Sequence, residues 1–212
     1  MIWWRAAAVA IIAALVMTAW VPRVRIADPE APDFARYAGA RSSAMVAVVA
    51  AAAAVALWRV PAAHWWLWAP YLALGAPLAY VDLRTTWLPK ALHWPAAGAM
   101  ALGALALVLV DWRLAAAAAF GSLAAGAFFY VAWRLSRALG FGDVRLAFLV
   151  GAVAGPAGAS GWTSALLIGT VLGALHGVAH ALWAGRRADR PQHFAYGPAL
   201  WLGPIVATAI AG

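Results

Sequence analysis

Apolar runs of bilayer-spanning length alternate with short polar connections along the whole chain. Runs at 2–21, 44–60, 64–82, 91–110, 114–133, 144–160, 162–184 and 196–211 read as helices. They are apolar on every face, which suits helices solvated by lipid. The strict apolar/polar alternation of a membrane β-barrel strand is missing. A span needs roughly 20 apolar residues, so these eight runs nearly exhaust the 212 residues. The predicted fold is all-α: a polytopic membrane helical bundle of about eight transmembrane helices, forming one integral-membrane domain over 1–212. The sixth run is interrupted by Gly151, Gly155, Pro156 and Gly158. The first begins with Trp3 and Trp4, has one basic residue near its start and is followed by no small-residue cleavage site, so it is expected to be an anchor and not a removable signal. The longest polar stretch is 22–43, a short loop with three prolines.

Composition sharpens this. The chain is 67% hydrophobic and 10% charged, with mean hydropathy +0.84. A soluble domain of this length has no interior large enough for that much apolar surface. The net charge of +8 is not read as nucleic-acid binding, because its distribution follows topology. Connections 1, 3, 5 and 7 hold twelve basic residues: Arg23, Arg25, Arg36, Arg41, Arg84, Lys90, Arg134, Arg137, Arg145, Arg186, Arg187 and Arg190. The opposite side holds three, Arg5, Arg59 and Arg113. The positive-inside rule puts the first set in the cytosol and both termini outside. Trp3, Trp20, Trp58, Trp65, Trp87, Trp112, Trp133, Trp162 and Trp183 fall near predicted span ends, as in an interfacial aromatic belt. Gly121, Gly126, Gly169 and Gly173 recur at spacings that let helices approach closely. With no cysteine, disulfides and thiolate metal sites are excluded.

Only seven residues are acidic. Asp28, Glu30 and Asp33 share the first loop, and Asp111 and Asp189 sit in short connections. Asp82, in YVDLRTTWLPK, and Asp143, in GFGDVRLA, instead stand where apolar runs meet polar segments. By span parity both lie at the cytosolic boundary. Carboxylates at membrane depth are costly and mark functional sites. Each has a structural alternative: Asp82 paired with Arg84 at a helix end, Asp143 as a helix cap. Gly140 and Gly142 permit close approach of a peptide or a neighbouring helix to Asp143. Two carboxylates sharing a partly dehydrated site hold one proton between them. The ionised member takes a proton from water and the protonated one donates to a peptide carbonyl, which is aspartic-protease chemistry. Ser42, Ser43, Ser122, Ser136, Ser160 and Ser164 lie in no nucleophile motif. His176 and His180, four apart on one helical face, are spaced to share a metal with His193 as a further ligand. The reading adopted is histidines hydrogen-bonded within the bundle or at its wet entrance, with no metal and no cofactor.

Three segments together resemble the type IV prepilin peptidases, membrane aspartic proteases of the GxGD class. DLRTTWLP, Asp82 to Pro89, is similar to that family's Asp followed by Ile-Pro; GFGDVRL, Gly140 to Leu146, resembles GxGD-V-K-L; FAYGPAL, Phe194 to Leu200, resembles its Phe-Gly-Pro segment, here with Gly197 and Pro198. The resemblance runs from about residue 64 to the end. It implies Asp82 and Asp143 as the catalytic pair, with Gly140, Gly142, Arg84, Pro89, Gly197 and Pro198 as supporting motif. It further implies, as partners, pilin-like or pseudopilin precursors with a basic leader and an apolar helix, cleaved at the cytosolic face of a bacterial inner membrane. Lys90 stands where the family usually has Asn or Asp, and Arg145 replaces its usual Lys. Larger members carry a cysteine-bearing cytosolic domain after the first span and also methylate the new N-terminus. The short, cysteine-free loop here implies that methylation is absent or altered. Other readings are a presenilin- or signal-peptide-peptidase-like GxGD protease, suggested by Pro198-Ala199-Leu200 although Val81 separates Tyr80 from Asp82, and a transporter or inactive scaffold.

Overall fold

The computed structural model describes residues 2–136, 139–185 and 194–211; Arg137, Arg186, Arg187, Asp189, Arg190 and His193 lie outside the described residues. The described residues form an all-α bundle: α1 Ile2–Leu15, α2 Ala40–Ala56, α3 Trp65–Thr85, α4 Lys90–Val110, α5 Trp112–Leu135, α6 Phe141–Ala154, α7 Gly158–Ala184 and α8 Gly197–Ala211. α1 continues through a π turn (Val16–Trp20) and a 3-10 turn (Val21–Arg23). Four stretches are long and apolar enough to cross a membrane: Ile2–Arg23, Lys90–Val110, Trp112–Leu135 and Phe141–Ala184. Ala40–Ala56 and Gly197–Ala211 are shorter apolar helices. The outer surface carries large apolar side chains, among them Leu109 (89% exposed), Phe120 and Ile210. Lipid is the solvent that such a surface requires.

The sixth predicted run ends early. α6 stops at Ala154, a 3-10 turn spans Gly155–Ala157, and α7 opens at Gly158 with φ of 77°. Only glycine adopts that left-handed backbone cheaply, so the Gly/Pro cluster is a sharp turn between two helices. α2 starts at Ala40, earlier than expected. The first loop is pinned by Phe34, 1% exposed, while Asp28, Glu30 and Asp33 remain in solvent.

α3 is the central helix and packs against α1, α2, α4, α6 and α8. Its run from Tyr71 to Asp82 is buried almost without interruption. Pro70 has no N–H to give the carbonyl of Trp66. α4 brings Gly103 against that same carbonyl, where any Cβ would collide. α5 and α6 meet at Gly121 and Gly151, and α7 and α8 at Gly169 and Gly203. Gly126 is covered by the Phe148 ring and Gly173 by that of Tyr196. Close backbone approach of this kind replaces the hydrophobic force that lipid cannot supply.

Polar ties cross the bundle where two helices must keep register. Tyr71 Oη donates to the Trp201 carbonyl at 2.7 Å, and the two rings stack. Tyr80 Oη donates to Ser42 Oγ at 2.8 Å. The tryptophan belt is partly as expected: Trp3, Trp20, Trp58, Trp112 and Trp183 are exposed. Trp65 is not. It is 7% exposed, donates to the Val60 carbonyl and lies under the Arg5 guanidinium. Its indole N–H needs an acceptor, and the turn before α3 provides one inside the protein. Trp162 likewise turns inward, donating to the Gly121 carbonyl at 3.0 Å.

Candidate active site

Four polar or charged residues are buried among those described: Ser43, Asp82, His93 and Asp143. Three of them gather at one end of the bundle. Antiparallel helices explain this: α3 runs toward that end, α4 and α5 go out and back, and α6 begins there.

Asp82 is in the last turn of α3, where its carbonyl accepts the Thr86 N–H. Helix α3 therefore continues to Thr85, past the expected end. Thr86 closes it with φ of 58°. The Asp82 side chain is 3% exposed and points into the bundle. Its partner is not Arg84. The Arg84 side chain is exposed and its guanidinium lies over the Tyr37 ring at 5.9 Å. The Gly197 N–H, at the start of α8, donates to Asp82 Oδ2 at 2.9 Å. A Cβ at position 197 would sit 2.6 Å from that oxygen, so only glycine allows the approach. Pro198 follows, where a helix's first turn needs no N–H.

Asp143 is 7% exposed at the third position of α6. Its N–H donates to the Gly140 carbonyl, and its Oδ2 accepts the Gly140 N–H at 3.0 Å. The capping reading therefore holds, and it does not compete with a role in a site, because the carboxylate that closes the first turn is also buried. It lies within electrostatic range of Asp82. A Cβ at position 197 would also meet Leu146 Cδ2 of α6 at 3.4 Å.

The loop after Asp82 seals one side. Leu88 sits on Gly142, where a Cβ would be 2.7 Å from Leu88 Cβ. Arg145 Nη2 donates to the Leu88 carbonyl at 2.9 Å. Pro89, buried, caps α4 with extended backbone. Three turns of chemistry-free sequence would not have suggested His93, yet it is 4% exposed on α4 within electrostatic range of Arg145, which also interacts with Asp143. The one available signal was a lone histidine on the same helical face as Leu92 and Ala96.

The segment before α8 is held by aromatics. Phe194 contacts the rings of His176, His180 and Tyr196, and Tyr196 also meets Phe129. His176 and His180 thus flank the strap that delivers Gly197. No group of three metal-ligating side chains occurs among the described residues, and His193 is outside them.

The arrangement is two buried carboxylates in each other's field, each steadied by a backbone N–H. The type IV leader peptidase family matches residues 69–178, a stretch that contains both aspartates and both glycines of the GFGD turn. Searches of curated proteins and of solved structures find no match. With that match spanning more than half of the chain, and with its apolar helices and buried carboxylates, the chain belongs to the type IV leader peptidase family, as a membrane peptidase.

Proposed function

We propose that this protein is an aspartic endopeptidase that removes the basic leader from type IV pilin-like or pseudopilin precursors. It acts at the cytosolic face of a bacterial inner membrane. The observation that supports this best is the burial of Asp82 and Asp143 within electrostatic range of each other, held by the N–H groups of Gly197 and Gly140. Two such carboxylates share one proton. The ionised one removes a proton from water as the oxygen attacks the scissile carbonyl carbon. The protonated one donates to the carbonyl oxygen. The tetrahedral intermediate then collapses, the C–N bond breaks, the departing amine receives the proton taken from water, and one hydroxyl of the intermediate returns its proton to the carboxylate that had donated. No acyl-enzyme forms and no cofactor takes part.

The family membership supports the leader-peptidase class, and the excess of basic residues in alternate connections supports the cytosolic orientation. The substrate's apolar helix stays in lipid while its leader junction rests at the level of the dyad. The short first loop, without cysteine, supports cleavage without N-methylation.

The test is co-expression with each pilin-like precursor of the same genome, reading the precursor N-terminus by mass spectrometry. Wild type should remove the leader and leave an unmethylated mature mass; Asp82→Asn and Asp143→Asn should leave the precursor intact. Equal processing by either variant overturns the dyad. No processing by well-folded wild type with any precursor favours a scaffold or transporter.

A further inference from the structure

The guanidinium of Arg145 is underused. It reaches from α6 to the Thr86–Pro89 loop, within electrostatic range of His93 and Asp143. Nη2 donates to the Leu88 carbonyl at 2.9 Å, while Nε and Nη1 are buried and have no acceptor. An orphaned donor in a dry site is destabilising unless something completes it. The arginine does not need this position to neutralise a carboxylate. An ion pair would direct its fork at Asp143, and no such pair forms; among the described residues the one ion pair is Arg36–Asp33 in the first loop.

We infer that Arg145 is a substrate-positioning residue whose free Nε–H and Nη1–H take main-chain carbonyls of the peptide being cleaved. The inference rests on the leader-peptidase reading above. A peptide bond can be hydrolysed only where the chain is unwound from helix, and unwound backbone at membrane depth has carbonyls that water does not satisfy. Arg145 offers the missing donors two residues from Asp143. Neither donor has solvent access, so the peptide enters between the Leu88 loop and α6, and the loop moves aside to admit it. Leu88 seated on Gly142, held by one hydrogen bond, is the cover that yields. The planar fork matters here. It holds two acceptors in fixed directions, which the lysine usual at this position of the family does not, so the two-point hold is particular to this chain.

The experiment is a cycle between Arg145 and the substrate backbone. Precursor peptides are made with a single thioamide, a poorer acceptor, at each position flanking the scissile bond. Each is assayed in detergent with wild type, Arg145→Met and Arg145→Lys. For wild type, one thioamide position should raise KM about tenfold, the scale of a lost hydrogen bond to a charged group. Both variants should show that higher KM with the all-amide peptide and no further rise with the thioamide. Arg145→Lys retains the charge beside Asp143 and guards against a folding failure of Arg145→Met. A purely electrostatic or structural role predicts unchanged KM in Arg145→Lys, or a thioamide penalty equal in all three proteins; either result overturns the inference. The same comparison is run as binding of labelled precursor to Asp143→Asn protein. Wild type that fails to cleave while this binding still depends on Arg145 would defeat the protease reading alone. Binding indifferent to Arg145, or no binding, defeats the inference.

Discussion

Gly197→Ala is the sharpest probe of the site, because one methyl group tests a contact between residues 115 positions apart. The new Cβ would stand 2.6 Å from Asp82 Oδ2, whereas ordinary contact begins near 3.4 Å. The carboxylate or the start of α8 must retreat by about 0.8 Å, which also stretches the 2.9 Å bond from the Gly197 N–H. Losing a hydrogen bond to a charged group costs about 1.5–3 kcal/mol. A misplacement on the order of 1 Å in a catalytic constellation costs roughly 100-fold in rate. Cleavage should therefore fall by about 100-fold or more, while α8 stays anchored through Tyr71 and Trp201. The assay is the rate of leader removal from a purified precursor, with the unfolding midpoint in detergent measured alongside. Gly98→Ala is the control: it is exposed within α4 and its Cβ would meet nothing within 4 Å. Its rate should match wild type, with a slight gain in stability from better helix propensity. A Gly197→Ala protein that cleaves within about threefold of wild type would refute the reasoning, since ΔΔG‡ would then be under about 1 kcal/mol.

Asp82→Asn and Asp143→Asn should each reduce cleavage by at least about 10²–10⁴-fold, the usual contribution of a general acid or base, with membrane insertion unchanged by protease-accessibility mapping. Gly151→Leu forces a side chain against the Gly121 backbone of α5; it should destabilise the bundle by about 1–3 kcal/mol, read as a lower unfolding midpoint. Tyr71→Phe removes the buried donor to the Trp201 carbonyl and should cost about 1–3 kcal/mol of stability, read as a lower unfolding midpoint. Chelation with EDTA should leave cleavage unchanged. Loss of activity restored by zinc would revive the His176 and His180 pair as ligands.

Much of the molecule was legible in the chain itself. The all-α membrane bundle and the approximate helix limits follow from the apolar runs, although α2, α6 and α8 are shorter than the roughly 20 residues of a full crossing. That Asp82 and Asp143 share one end follows from parity, since two helices intervene between them. The role of GFGD at a helix start was equally local: Gly140 and Asp143 are three residues apart and their hydrogen bonds close a single turn. The chain's own pattern misleads where a side chain's direction or a distant neighbour decides the outcome. Pairing of Asp82 with Arg84 was the structural alternative that proximity along the chain offered, yet the Arg84 guanidinium lies over Tyr37. Trp65 fell at a span end and was buried all the same.

Only the tertiary structure supplied Gly197 as the donor to Asp82, His93 as a buried wall of the site, and Arg145 as the clasp of the Leu88 loop with two donors to spare. The physical reason is the same in each case. Hydrophobic periodicity and motif spacing report what a segment does with its own neighbours and with the solvent. Which backbone N–H meets which carboxylate depends on how closely helices approach, and that is set by glycines and rings on elements far apart in the chain. The sequence by itself determined that this is a membrane bundle with two costly carboxylates at one end. The packing of α3, α6 and α8 decided how those carboxylates are held.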